Sequence, residues 1–301
     1  MLLSDNKQLF VDIVREISEK NNVLPIYIEK DFFAISILKK LVSLDSNFVF
    51  KGGTSLSVCY NAINRFSEDV DLSYEDESIS ASKRRKIKQT IIEVISGLSL
   101  TLTNSDDIRS RRDFNRYICS YNSFLNQDDD HIILEWSTIT PSFPTEKRSA
   151  QTIIGKFLEQ NGRYDLVKQY NLESFCVKTM SMERTMIDKI FAICDYHISG
   201  FVDRESRHLY DIHKLLMFVK LDKKFLSLFC KVRDCRKSLN RCYSAKDGHL
   251  ISFLLYDLIG KATFKTDYIQ KTSVLLYYKT SYDECVVSIL KVADYLKDNN
   301  L

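Results

Sequence analysis

The chain has 301 residues, with 43 Lys and Arg against 40 Asp and Glu, which gives a net charge of +3 at pH 7. A hydrophobic fraction of 45% is ordinary for globular proteins, and two domains are the default expectation at this length. No apolar run approaches the ~20 residues that cross a bilayer, and the first residues lack a secretory signal pattern. The eight cysteines are scattered without a Cys-x-x-Cys pair, which favours reduced thiols over zinc. We therefore expect a cytoplasmic protein with no membrane partner.

Two helical patterns open the chain and an apolar strand follows them. Ser4 is predicted to cap the first helix, and the second is predicted over residues 25–44. The strand at 48–51 ends in Gly52 and Gly53, and Thr54 begins another predicted helix that reaches about residue 62.

The glycine pair predicts a phosphate-binding turn. Gly52 and Gly53 can adopt backbone angles closed to other residues and allow a ligand close to the main chain. Thr54 and Ser55 add hydroxyl donors, and a helix starting there would direct free N–H groups towards an anion. A glycine pair alone is most often only a tight turn.

A second strand carries two carboxylates on one face. Side chains two apart on a strand lie on the same side about 7 Å apart, so Asp69 and Asp71 face together while Val70 and Leu72 face the core. Two such oxygen ligands suit Mg²⁺, which is held by one or two carboxylates plus substrate phosphates. An isolated Asp-x-Asp is most often a solvated strand end. The order of strand, glycine pair, helix and acidic strand instead favours metal-assisted phosphoryl or nucleotidyl transfer.

Basic residues cluster twice after this strand. The first cluster, on a predicted helix at about 82–95, contains Lys83, Arg84, Arg85 and Lys86, and the second contains Arg109, Arg111 and Arg112. Residues 1–150 carry a net charge of −3 and residues 151–301 a net charge of +6. Either cluster is a candidate RNA-phosphate contact, and the alternative for the first is simply the solvated face of its helix.

The remaining sequence divides into a sheet-rich part and a helical part. Strands are predicted at 98–103, 116–121 and 131–140, after which Pro141 and Pro144 end the alternation of strand and helix. We therefore place a domain boundary between residues 145 and 146. Residues 1–145 form the domain with the glycine turn, and residues 146–301 form a mainly helical domain. The expected fold class is α+β.

These motifs resemble those of a known family. A glycine pair followed by an acidic–hydrophobic–acidic strand resembles the nucleotidyltransferase superfamily that shares the polymerase-beta palm. More closely, residues 50–56 and 65–72 look like the AbiEii/AbiGii toxin family, the toxin halves of bacterial type IV toxin–antitoxin and abortive-infection systems. Residues 28–33 are similar to the segment that precedes the glycine strand in that family. The gap between Gly53 and Asp69 is longer than in the wider superfamily and resembles the toxin family.

The resemblance implies a fold, a reaction and several site residues. It implies a polymerase-beta-like palm with a small mixed sheet and a helical C-terminal domain that completes the active site. Glu135 resembles, by position, a third carboxylate on a later strand; its alternative is an exposed charge on a half-solvated strand. Residues 183–189 and 207–211 look like the later family motifs, in which Lys189 neutralises triphosphate charge and Asp211 orients or deprotonates the attacking hydroxyl. From the residues alone, an Arg207–Asp211 pair one helical turn apart is equally plausible.

The implied activity is transfer of a nucleotide from an NTP to RNA with Mg²⁺ or Mn²⁺ (EC 2.7.7-type). The phosphates would bind Gly52, Gly53, Thr54, Ser55, Arg65 and Ser67. The family suggests the 3′ end of tRNA as acceptor, which would stop translation in an antiviral defense system, and a cognate antitoxin encoded nearby, whose direct binding stays open. Two other classes remain: a small-molecule nucleotidyltransferase on the same palm, and a nucleotide-binding interaction module without turnover.

Overall fold

The structure, a computed structural model, describes residues 2–67, 69–75, 79–105, 113–125 and 129–301. Two compact units are present. The first comprises Met1–Tyr60 and Ser67–Met180, and the second comprises Asn61–Phe66 and Ser181–Leu301. The chain therefore enters the second unit briefly before the acidic strand and returns to the first. Among the helices in the described ranges, none is long and apolar enough to span a bilayer.

The first unit is built on one sheet flanked by helices. Its helices are α1 (Lys7–Asn21), α2 (Pro25–Leu44), α3 (Gly52–Val58), α4 (Ala81–Gly97), α5 (Ile153–Gln160) and α6 (Tyr164–Gln169). Its strands are β1 (Phe48–Lys51), β2 (Asp69–Tyr74), β3 (Thr101–Leu102), β4 (Phe114–Asn122), β5 (Asp129–Ser137), β6 (Thr145–Ala150) and β7 (Phe175–Met180).

The seven strands form one mixed sheet in the order β3-β4-β5-β2-β1-β7-β6. β1 runs antiparallel to β2 and parallel to β7, and β2 runs parallel to β5. β4 is antiparallel to both β3 and β5, and β6 is antiparallel to β7. The acidic strand β2 therefore lies at the centre of the sheet.

One face of this sheet is covered by helices. Phe50, Leu72 and Trp136 are aligned across β1, β2 and β5, and they belong to a single core cluster with apolar residues of α2 and α4. The next residue on each strand points to the opposite face, because side chains alternate along a strand. That opposite face carries Lys51, Asp71 and Glu135, which stay partly exposed.

The second unit is helical. Its longer helices are α7 (Met182–Ser199), α8 (Arg207–Leu215), α9 (Lys223–Lys237), α10 (Ile251–Gly260) and α12 (Tyr282–Asp298), and the short α11 (Lys265–Asp267) precedes a π-helical turn at Tyr268–Thr272. Asp188 on α7 joins that helix to α9 by pairing with Arg236, and it also pairs with Arg184 of α7. The extended segment Asn61–Phe66 pairs with this unit through an antiparallel bridge between Arg65 and Leu276.

The predicted α+β fold class is confirmed, and several boundaries differ. We placed the domain boundary between residues 145 and 146, but the sheet unit continues to Met180 because β6 and β7 extend the sheet beyond β1. The helix predicted from Thr54 begins at Gly52, and the strand predicted at 98–103 is reduced to Thr101–Leu102 because α4 continues to Gly97. Asn6 rather than Ser4 caps α1, accepting a hydrogen bond from the Leu9 N–H.

Candidate active site

A row of four charged side chains crosses the partly exposed face of the sheet. Lys51 lies opposite Asp71, Asp71 lies opposite Glu135, and Glu135 lies opposite Arg116. Directly opposite residues on neighbouring strands point to the same face with Cβ atoms about 5 Å apart. The row therefore reads cation, carboxylate, carboxylate, cation from β1 to β4.

Asp69 adds a third carboxylate to this face. It lies two residues before Asp71 on β2, so both point the same way. Burial, followed by the negative charges of Asp71 and Asp69, raises the pKa of Glu135 to about 7. The three carboxylates are therefore close enough to repel one another, and a divalent cation would relieve that repulsion.

This set of donors fits a hard divalent cation. Carboxylate oxygens are the ligands that Mg²⁺ and Mn²⁺ prefer. In the part of the chain that the structure describes, His, Cys, Asp and Glu side chains do not form a ready set of three or more around one metal position. A metal held here would therefore take part of its coordination from substrate phosphates, as Mg²⁺ commonly does.

Position 52 requires a glycine because it lies against Asp71. Its φ is +76°, in the left-handed region that favours glycine, and a Cβ at this position would lie 2.0 Å from Asp71 Oδ2. No side chain fits there unless Asp71 moves. The first glycine of the pair therefore lets the end of β1 approach the Asp71 carboxylate. The sequence predicts a close approach of this kind for a ligand.

The hydroxyl groups after the glycine pair bond to the protein instead of pointing freely into a phosphate site. Thr54 is 4% exposed, and its Oγ1 donates to the Asp69 carbonyl at 2.5 Å and lies 3.0 Å from Ser67 Oγ. Ser55 is fully buried and donates to the Gly52 carbonyl at 2.9 Å. The sequence predicts these two hydroxyls as phosphate donors, whereas in the structure both brace the turn. Ser67 is partly exposed beside Thr54.

The second unit holds a separate buried ion cluster. Asp211 is 0% exposed, and its two oxygens accept hydrogen bonds from Arg65 Nε and Nη2, both at 2.7 Å. Lys189 Nζ lies 2.6 Å from Asp211 Oδ2. Burial alone would raise the pKa of Asp211, but the two cations hold it well below its ordinary value. Asp211 is thus an ionised anchor between two cations.

This geometry changes the expectations for two residues. Arg65 was expected to face the phosphates, but it is 2% exposed and its guanidinium also donates to the Phe66 carbonyl. For Asp211 we left open an ion pair with Arg207; both carboxylate oxygens are instead engaged by Arg65 and Lys189. Sequence spacing allowed a partner on the neighbouring turn, whereas Arg65 and Lys189 come from distant parts of the chain.

His208 extends the cluster on α8. Its Nδ1 lies 3.4 Å from Lys189 Nζ and its Nε2 lies 3.1 Å from a Glu205 oxygen. Lysine is only a donor, so Nδ1 accepts from Lys189 and the ring proton lies on Nε2, beside Glu205, which describes a neutral imidazole. Burial, reinforced by the charge of Lys189, lowers the pKa of His208 to about 4.

The predicted site residues thus fall into two groups. Gly52, Asp69, Asp71 and Glu135 lie together in the first unit. Arg65, Lys189 and Asp211 lie together in the second.

The first basic cluster lies on α4. Lys83 pairs with Asp45 at 2.9 Å, and Arg84 pairs with Asp113 at 3.1 Å. Arg85 and Lys86 are exposed. Arg109, Arg111 and Arg112, the second predicted cluster, lie outside the described residues.

Sequence reasoning missed Lys51 and Arg116, the two cations at the ends of the charged row. Lys51 could have been noticed because it ends β1 directly before the glycine pair. Arg116 gives no local signal, because its place opposite Glu135 depends on the register of β4 against β5.

Most of the chain matches the model of one protein family. The family model for the nucleotidyl transferase AbiEii toxin of type IV toxin–antitoxin systems matches residues 36–263. The comparison with curated proteins gave no match.

Two solved structures from Helicobacter pylori align with most of the chain. JHP933 is 17% identical over 90% of this chain and 93% of its own, with a TM-score of 0.48. The other, provisionally described as a nucleotidyltransferase, is 17% identical over 91% of this chain and 95% of its own, with a TM-score of 0.51. At this identity the second likeness shows a shared fold.

Proposed function

Because the chain belongs to the AbiEii nucleotidyl transferase toxin family of type IV toxin–antitoxin systems, we propose that it transfers a nucleoside monophosphate from an NTP to RNA. This is a reaction of the EC 2.7.7 type. The observation that carries the proposal is the packing of Gly52 against Asp71, with Asp69 and Glu135 on the same face of the sheet. We propose the 3′ end of tRNA as the acceptor, where an added nucleotide would block aminoacylation and stop translation. A cognate antitoxin encoded nearby would relieve this effect.

Asp69 and Asp71, with Glu135 as the third candidate, would hold Mg²⁺ or Mn²⁺. When bound, such a metal would polarise the phosphate oxygens and lower the pKa of the acceptor hydroxyl. The donor set supports this assignment because it consists of crowded carboxylates on one face.

The transfer forms one bond and breaks one. An acceptor hydroxyl gives its proton to the solvent and its oxygen bonds to the α-phosphorus, while the bond between the α-phosphorus and the bridging oxygen breaks and pyrophosphate leaves with that oxygen. Attacking and leaving oxygens lie roughly in line in such reactions, so catalysis depends mainly on positioning and charge.

The triphosphate is best accommodated at the β1 end of the row. Gly52 brings the end of β1 against Asp71, and Lys51 supplies a cation beside that carboxylate. Thr54 and Ser55 keep the turn in shape through their hydrogen bonds to Asp69 and Gly52.

We propose for Lys189 the role that the family resemblance implies, which is to offset phosphate charge. Its ammonium is held by Asp211, which Arg65 anchors in turn. Asp211 is fully buried and its pKa is held low by the two cations, so we assign it as a positioning residue rather than as the base.

The test is transfer of label from each α-³²P-NTP to total bacterial RNA by the purified protein in the presence of Mg²⁺. We expect label in tRNA-sized RNA with the wild type and a loss of at least about 100-fold with Asp71→Asn, because the variant loses a charged donor of the proposed metal site. Asp165→Asn, an exposed carboxylate on α6, is the matched control and should keep full activity.

Two results would contradict the proposal. Transfer to a small molecule but not to RNA would replace it with a small-molecule enzyme. Nucleotide binding without transfer to any acceptor would leave only a binding module.

A further inference from the structure

Arg116 is poorly satisfied by the protein around it. Its closest charged partner is Glu135, at 3.7 Å between Nε and Oε1, which is too long for a hydrogen bond. The Nε atom is itself buried, and none of the described residues offers it a hydrogen-bond partner. The side chain as a whole remains 40% exposed. A guanidinium in this state keeps donors available for an external anion.

Arg148 is an arginine of similar exposure in the same sheet whose guanidinium does reach its carboxylate, although its Nε atom, like that of Arg116, is buried without a hydrogen-bond partner in the described residues. It lies on the edge strand β6, is 41% exposed, and donates to Glu146 at 2.7 Å. Both arginines are thus half-exposed and face a glutamate on a strand. Of the two, only Arg116 lies beyond hydrogen-bond distance of its glutamate, so exposure alone does not explain the 3.7 Å between Arg116 and Glu135.

The position of Arg116 in the charged row indicates which anion it would meet. Lys51 and Gly52 lie at the β1 end, on the side proposed for the triphosphate, and Arg116 lies three strands away, about 14 Å at the usual strand spacing. The two carboxylates lie between these ends. In-line attack places the incoming oxygen opposite the leaving pyrophosphate. The acceptor therefore approaches from the Arg116 side.

We propose that Arg116 binds a backbone phosphate of the RNA acceptor next to its reacting end. This inference rests on the proposed function, and it identifies the acceptor as a polyanion rather than a small neutral alcohol. A guanidinium suits the task because its planar donors match a phosphate in a bidentate geometry.

The α4 cations are placed differently. Ile87 and Ile91 of α4 belong to the core cluster that covers the other face of the sheet, together with Leu72 and Trp136. RNA bound at the exposed residues of α4 would therefore be away from the carboxylates. Arg116 shares their face and is adjacent to Glu135, which makes it the better candidate for contact with the reacting end.

The experiment compares Arg116→Gln with the wild type in steady-state transfer to tRNA. We expect the KM for tRNA to rise about 10-fold and the KM for the NTP to change less than about 2-fold, as for the loss of one charged phosphate contact. The slope of log affinity against log salt should fall in magnitude by about 1. Arg116→Lys should keep the salt slope because it keeps the charge.

Arg148→Gln is the matched control and should leave both KM values unchanged. If Arg116 only holds Glu135 in place, Arg116→Gln will instead lower kcat while the KM for tRNA and the salt slope stay the same. That outcome, or an equal effect of Arg148→Gln, would overturn the inference.

Direct binding separates this inference from the proposed function. Fluorescence anisotropy of labelled tRNA is measured with Asp71→Asn alone and with Asp71→Asn combined with Arg116→Gln, without NTP. Weaker binding and a smaller salt slope in the double variant support the phosphate contact even if no transfer is found. Equal binding by the two proteins overturns it even if the wild type transfers nucleotide.

Discussion

At the scale of single residues, the site depends on a glycine whose missing side chain leaves room for a carboxylate. Gly52→Ala would place a methyl group 2.0 Å from Asp71 Oδ2 and displace that oxygen. We expect transfer activity to fall at least about 100-fold, since small misplacements in an active site have effects of this size. The same label-transfer assay measures it.

Gly162→Ala provides the control for backbone strain. Gly162 also has a positive φ, +72°, but nothing lies within 4 Å of an added Cβ. Each substitution should cost about 1 kcal/mol of stability through the left-handed backbone. Equal activity losses in both variants would mean that strain, and not displacement of Asp71, explains the effect.

His208 gives a pH dependence to the stability of the chain. Its pKa is about 4 in the folded protein because it is buried beside Lys189, against an ordinary value of 6.5. The unfolded chain binds the proton first, so stability is complete above about pH 6.5 and is lost as the pH falls towards 4. We expect wild-type stability to fall by about 2 kcal/mol more than that of His208→Gln between pH 7.5 and pH 5.

Urea unfolding of both proteins at the two pH values measures this difference. A glutamine is neutral and its side-chain oxygen can accept from Lys189 as Nδ1 does, so we expect the variant to fold. His131→Gln, at a half-exposed histidine on β5, should keep the wild-type pH dependence. If His208→Gln keeps it too, another group is responsible.

At the scale of secondary structure, local sequence patterns predicted helices and strands better than they predicted which distant residues contact each other. The helix over 25–44 and the acidic strand follow from short-range periodicity, and the structure has both. The position of Glu135 opposite Asp71 depends on strands far apart in the chain, and only the family resemblance pointed to it. The pairing of Arg65 with Asp211 had no signal in residue spacing, because nothing local brings residue 65 to α8.

Helix α4 separates its structural cations from its exposed ones. Lys83 and Arg84 are engaged with Asp45 and Asp113, whereas Arg85 and Lys86 are exposed. If RNA extends over α4, the double charge reversal Arg85→Glu and Lys86→Glu should weaken tRNA binding and reduce the salt slope by about 2, with stability unchanged within about 0.5 kcal/mol. Anisotropy titrations at several salt concentrations measure this.

Lys223→Glu with Lys224→Glu is the matched control for that change. These adjacent lysines are exposed near the start of α9, and the double variant changes the net charge by the same amount. A general electrostatic effect would weaken binding equally in both double variants. A contact at α4 would be indicated only by a selective loss.

At the scale of the whole molecule, a short segment of the helical unit lies in sequence between two stretches of the sheet unit. Arg65 lies in Asn61–Phe66, which belongs to the second unit, and its buried pair with Asp211 holds that segment to α8. Arg65→Ala should destabilise the protein by about 3 kcal/mol, the usual cost of removing one partner from a buried ion pair. Thermal unfolding of the full chain measures this loss of stability as a lower Tm.

Arg148→Ala calibrates the measurement, because it removes an exposed arginine–glutamate pair and should cost no more than about 1 kcal/mol. Arg65→Lys should recover only part of the loss, since an ammonium cannot reproduce the two guanidinium hydrogen bonds to Asp211. An equal loss of unfolding free energy for Arg65→Ala and Arg148→Ala would show that the buried pair stabilises the protein no more than the exposed one does.

The same excursion limits how this protein can be divided or recombined. A single break after Met180 would leave Asn61–Phe66 attached to the wrong fragment, so the helical fragment would lack the arginine that pairs with Asp211. A chimaera made by joining the front of this chain to the back of a relative would take the two partners of this buried pair from different proteins, unless residues 61–66 were exchanged with the back portion. Separating the two units cleanly therefore takes three cuts in the chain, after Tyr60, Phe66 and Met180.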